Sequence, residues 1–279
     1  MASSTLSNVV PLQGLQMPGL GMAQTSSRGT LFGGSRNEVW YCTGYTNGAQ
    51  GLMLFVKPDL PIRSMMIEAL AAQVGQCMGL PCPDPFIVTV NPKHIGRASG
   101  PKIVAFGSEQ KGRALARPIL DTDLMLQLIE KQKLTDQLCC FDELIANGVR
   151  SHRDIVFEPE NGISIIDHEG AMEPSTQASD SVTNWVATQV LSRLTADQRV
   201  LFLKRLRARA AVAHRLTFGG PPLAVQFNQE GVPTYRKLVE FLQARLLHLD
   251  TLLSSRVFPE QRHIMENSTS NDSIRATDI

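Results

Sequence analysis

Lys57 closes an apolar run, Leu52-Met53-Leu54-Phe55-Val56, and Glu68 follows 11 positions later within a stretch of helical periodicity. A lysine at a strand end and a glutamate on the next helix suit an ammonium that meets phosphate while a carboxylate orients it. Further along, Phe141 to Asn147, Arg150, Asp154 and Ile165-Ile166-Asp167-His168-Glu169-Gly170-Ala171 gather charged groups on either side of a short apolar pair of runs. Gly33-Gly34-Ser35-Arg36 precedes the first β-type run, and small residues there let backbone N–H groups approach an anion. Together these parts meet the needs of phosphoryl transfer, which chiefly requires positioning a triphosphate and neutralising its charge. Each part alone is weak: Gly-rich turns are mostly only turns, and strand-end lysines usually point to solvent. A phosphate-facing Lys57 is expected to contribute little to the core.

The elements that must position these residues fall into two compositional halves. Val39-Trp40-Tyr41-Cys42-Thr43 and Leu52 to Lys57 read as strands joined through Asn47-Gly48, a turn signal, so an antiparallel hairpin is predicted. From Pro61 to Met78 the apolar residues Ile62, Met65, Met66, Leu70, Val74 and Met78 recur at helical spacing, with Gly79 suited to the position after the helix. This predicts one amphipathic helix. Phe86 to Val90 and Ile103 to Phe106 read as further strands. After Pro118 the pattern turns helical, with Thr122 and Thr135 as expected caps of helices through Lys131 and Ile145. Ile155 to Phe157 and Ile163 to Ile166 form an expected hairpin ending at Asp167. Helices over about 181–216, broken near Thr195, and about 234–253 complete the chain.

Composition sets few limits. The 279 residues carry 27 Lys+Arg against 26 Asp+Glu, so no net field favours a polyanion, and direct nucleic-acid binding is not expected. The basic run Lys204, Arg205, Arg207, Arg209 and Arg215 reads as a solvated helix face. Five cysteines, none in a CxxC spacing, suit reduced thiols, and no apolar run reaches membrane-spanning length. A cytoplasmic protein without membrane contact is the simplest expectation.

Between about Gly33 and Met172, Gly33-Gly34-Ser35, Phe55-Val56-Lys57, Ile67-Glu68-Ala69, Gly79-Leu80-Pro81-Cys82-Pro83, Phe106-Gly107-Ser108 and Ile166-Asp167-His168 occur in an order that resembles the HipA-like kinase family. The resemblance implies an α+β, two-lobed protein-kinase-like fold. An N-terminal lobe (1–107) would hold an antiparallel sheet with one helix, a mostly helical C-terminal lobe (108–258) the catalytic loop and metal-binding hairpin, and 259–279 a disordered tail. It further implies ATP and Mg2+ as cofactors, a phosphate-binding Gly33-Gly34-Ser35 turn, and a Lys57–Glu68 pair. Phe106-Gly107-Ser108 would form the hinge beside the adenine. Asp167 would be the main metal ligand and Asp154 a second one, with Lys57, Asp154 and Asp167 as the catalytic set. The acceptor, a protein or a small molecule, is not marked by any motif.

The family's catalytic loop runs from an Asp to a metal-binding Asn five positions later. Here Asp154 stands for the Asn and Val149 for the Asp. An alternative register through His152-Arg153-Asp154 and Asn161 has seven positions where five are needed, and leaves too little chain for the hairpin before Asp167. Valine cannot accept a proton. A kinase relying on its charge-neutralising groups is therefore expected, with a nucleotide-binding pseudokinase acting through a partner as the alternative.

Overall fold

The computed structural model describes residues 14–32, 37–48, 50–110, 117–118, 121–158, 162–226 and 229–259. The first half contains β1 (Leu15–Gln16), β2 (Gly21–Thr25), β3 (Thr30–Phe32), β4 (Val39–Tyr45), β5 (Gln50–Lys57), α1 (Ile62–Cys77), β6 (Pro85–Val90) and β7 (Ile103–Glu109). Then follow β8 (Arg117–Pro118), α2 (Thr122–Lys131), α3 (Thr135–Leu144), β9 (Ile155–Glu158), β10 (Gly162–Ile165), α4 (Trp185–Leu191), α5 (Ala196–Ala213), β11 (Leu216–Thr217) and α6 (Gly231–Val257). The architecture is α+β, with a sheet and its helix first and a helical region after them.

Six strands pair in the order β2-β6-β7-β5-β4-β3, and β2 also pairs with β4, so five of them close on themselves. The sheet is mostly antiparallel, but β2 runs parallel to β6, an exception that no local pattern announces. Period-two alternation sorts the strand residues. Leu54, Val56, Cys42, Phe86, Val88 and Ala105 form a small core on one face, while Ile87 and Phe106 join the main core on the other.

Helix α1 forms where the apolar spacing predicts and ends before Gly79, whose φ of 80° suits glycine. It is not amphipathic, however: all residues from Met65 to Gly75 are buried. The helix is clasped between β6 and β7 on one side and α6 on the other, and Ala69, Ala71, Ala72 and Gly75 let those neighbours approach. A helix covered all round shows no polar stripe. One main core runs from α1 through α3, α5 and α6.

Two expected caps differ. Asp121, not Thr122, accepts from Leu124 N at 2.9 Å, because a charged oxygen one residue earlier also complements the helix dipole. Thr135 is the first helical residue of α3, and Leu134 at the cap position makes no side-chain bond. At the expected break Thr195 caps α5, reciprocally with Gln198. Helix α6 extends beyond the expected 234–253 at both ends and is tied to α3 by buried Arg245, which donates to Glu143 O at 2.6 Å. Strand β1 pairs with β11, so the N-terminal segment reaches the helical half, and β7 continues the sheet to Glu109. Among the described residues no helix is long and apolar enough to cross a membrane, and all five cysteines are free thiols.

Candidate active site

Strand β5 carries Lys57 out of the sheet opposite Phe106 of β7, and α1 presents Glu68 toward it. Lys57 Nζ lies 2.5 Å from Glu68 Oε1, 2.7 Å from Asp167 Oδ1 and 3.7 Å from Glu169 Oε2. One ammonium thus serves three carboxylates. Burial alone would lower the Lys57 pKa, but Glu68 and Asp167 together hold it above its ordinary value, so it stays charged. Glu68 is only 2% exposed and depends on two donors, Lys57 on one oxygen and the His168 backbone N–H on the other at 2.9 Å. Lys57 is therefore not a bystander to stability, contrary to the sequence expectation: without it a buried carboxylate loses its counter-charge.

Asp167 follows β10 in a left-handed conformation, with φ of 58°. That geometry costs a non-glycine residue about 1–2 kcal/mol, least for Asp and Asn, and neighbours on both sides hold it. His168 N is bonded to Glu68, and Ile166 O accepts from Arg150 Nη1 at 3.0 Å. The Arg150 Nε meets both oxygens of Asp142 at 2.7 and 2.8 Å, and its Nη2 meets His168 Nδ1 at 2.9 Å. Arginine has only donors, so His168 Nδ1 is the acceptor and the ring proton sits on Nε2. Burial, then the charges of Arg150 and Lys57, push the His168 pKa well below its ordinary value, so the ring is neutral. His168 thus braces the loop through its ring and its backbone N–H.

Asp154 takes a different posture. Its Oδ2 accepts from Ser151 N at 2.7 Å and Ser151 Oγ at 3.2 Å, closing a reciprocal cap on the short turn His152–Asp154. Among the described residues, the three acidic groups whose oxygens lie within 4.8 Å of one another are Glu68, Asp167 and Glu169, and Asp154 is not among them. Burial raises the Asp154 pKa, with the charge of Asp167 contributing. Val149 is 64% exposed. Phe106, Gly107 and Ser108 lie within β7, paired to β5 on one side and β6 on the other. The stretch expected to form the hinge is thus part of an internal strand of the sheet. Gly107 answers to packing: a methyl group there would meet Val88 Cγ2 at 2.5 Å. Gly33, Gly34 and Ser35, the expected phosphate turn, lie outside the described residues, as does Asn161 of the alternative register.

Residues 34–213, more than half of the 279, match the family described as HipA-like kinase. The chain belongs to the HipA-like kinase family. A crystal structure of the Helicobacter pylori proinflammatory kinase CtkA is similar at a TM-score of 0.48 and 11% identity, covering 87% of this chain and 99% of that one. No curated protein matches the chain.

In this member of the HipA-like kinase family Lys57 meets both Glu68 and Asp167, and two further residues join them. Glu169 completes the acidic triplet, and its only sequence signal is its place two positions after Asp167. Asn37 Nδ2 lies 2.6 Å from both Glu169 oxygens, 132 positions away, and carries no local signal. The donor set is all oxygen, hard and clustered, and Asp167 is 38% exposed, so a small divalent cation fits the chemistry of the residues present. A cleft of about 770 Å³ runs along Leu15, Gln16, Cys77, Leu80 and Asp84, and none of these groups lines it.

Proposed function

We propose that the protein binds ATP with magnesium at Lys57 and Asp167 and transfers the γ-phosphoryl group to a hydroxyl on a protein or small molecule. The observation that carries this is the double engagement of Lys57 by Glu68 and Asp167, at 2.5 and 2.7 Å. It joins the phosphate-binding ammonium to the loop of the metal-ligand aspartate, both of which must be in place for phosphoryl transfer. Bound magnesium supplies neutralisation of the triphosphate charge. Asp167 and Glu169 would hold the metal, with Asp154 a third ligand only if its other oxygen turns to the site or the Ser151 cap opens. Residues 1–107 would act as the nucleotide lobe and 108–258 as the acceptor-bearing lobe, in a cytoplasmic protein. Phe106 to Ser108 would carry the strand that leads to the adenine.

A nucleotide-binding pseudokinase is the second reading, and Val149 at the base position favours it. Electrostatic stabilisation usually outweighs the general base, which contributes about 10²- to 10⁴-fold, so transfer remains the preferred reading. Calorimetric titration of ATP with and without magnesium tests nucleotide binding. Binding to the native state raises the melting temperature by mass action. No heat and no thermal shift at millimolar ATP would leave an interaction protein that has lost its nucleotide site.

A further inference from the structure

Arg150 adjoins the residue at the expected base position but makes no contact with it among its described bonds. Instead it joins three segments. Its side chain is fully buried with that of Asp142 on α3, and its Nη1 and Nη2 donate to Ile166 O and His168 Nδ1, of the residues flanking Asp167. Asp167 lies between these two tethers in its left-handed conformation. The His168 N–H bond to Glu68 fixes the same loop from the other side and passes the constraint to Lys57 through the shared carboxylate.

We propose that Arg150 is a positioning residue whose guanidinium fork, anchored by Asp142, sets the backbone conformation of Asp167 and so aims its carboxylate at Lys57 and the metal. The role of this part of the catalytic loop is then independent of Val149, and the loop holds the metal aspartate whether or not a base is present. The second half of the proposal, aim toward metal, rests on the nucleotide-and-metal reading of Asp167. The first half, control of the Asp167 backbone, does not. Lysine keeps the charge opposite Asp142 but cannot span two further acceptors from one planar fork.

The test uses the full chain with Arg150→Lys and, because a buried charge pair is at stake, Asp142→Leu/Arg150→Met, which removes both charges together. NMR reads the Asp167 backbone shifts and the His168 ring nitrogens, and titration with Mn2+ and ATP reads affinity. Expected for wild type are left-handed shifts at Asp167 and a proton on His168 Nε2. In either variant that folds, the Asp167 shifts leave that region. Metal affinity falls about 10- to 100-fold, the usual effect of losing an orienting partner. Unchanged Asp167 shifts in a folded variant, or a wild-type His168 protonated on Nδ1, overturn the proposal. A shift change with unaltered Mn2+ affinity overturns the aim toward metal. Wild type that binds neither Mn2+ nor ATP refutes the nucleotide reading instead, and the NMR arm still decides whether Arg150 holds the loop.

Discussion

The side chain of Val149 rests on Gly170, where an added methyl group would meet Val149 Cγ2 at 2.1 Å. The residue at the expected base position therefore packs against the loop after Asp167 while remaining 64% exposed. A carboxylate can stand there without entering the core. Val149→Asp is expected to leave stability within about 0.5 kcal/mol, as for other surface changes, and to raise labelled γ-phosphate transfer, including autophosphorylation, by about 10²- to 10⁴-fold. A wild type that is inactive yet binds ATP, and gains transfer with this change, is a pseudokinase with its remaining site intact. Substantial wild-type transfer that falls on Val149→Asp but survives Asp167→Ala would show that the register through Asp154 is wrong.

Lys57→Met is expected to abolish nucleotide affinity and also to destabilise the fold by about 3 kcal/mol, since it strips the counter-charge from buried Glu68. Adding Glu68→Gln should recover much of the stability without restoring ATP binding. Chemical denaturation and calorimetry on the two variants separate these effects. If the single variant is as stable as wild type, the short Lys57–Glu68 contact is not a feature of the protein in solution.

Asn37→Ala removes the amide that holds both oxygens of Glu169. Outer-shell partners of this kind typically contribute about 10- to 100-fold in metal affinity, and the lower end is expected because Lys57 still lies 3.7 Å from Glu169. Glu169→Gln should weaken Mn2+ binding at least as much, measured by electron paramagnetic resonance of the free ion. Equal Mn2+ affinity in wild type and both variants would place Glu169 outside the metal site.

Thiol chemistry checks the core. Cys42, Cys82, Cys139 and Cys140 are buried, and burial raises the Cys82 thiol to about 12, while Cys77 on the last turn of α1 is half-buried. Iodoacetamide on the native protein should alkylate Cys77 first, slowly near neutrality because burial raises its pKa too, and faster as the pH rises and the thiolate forms. Mass spectrometry showing adjacent Cys139 and Cys140 labelled as fast as Cys77 would contradict the packing of α3.

What the sequence determined alone were features that depend on neighbours in the chain. Turn residues at Asn47-Gly48, the apolar β-type run from Leu52 to Lys57 and helical spacing from Ile62 to Met78 set β4, β5 and α1, and hence the separation that lets Lys57 meet Glu68. The acidic run around Asp167 marked the loop, although not its left-handed backbone. Tertiary structure decided whatever joins distant segments: Asn37 with Glu169, Arg150 with Asp142 and His168, β2 beside β6, and the burial of α1 on every side. The Asp121 cap shows the same limit at short range, for Asp121 and Thr122 both satisfy a cap pattern and the folded backbone, which starts the helix at Thr122, selects Asp121. The reason is physical. Local patterns report which conformations a segment prefers, whereas a buried charge takes its partner from whichever element packing brings within about 3 Å, and that choice is made by the whole core at once.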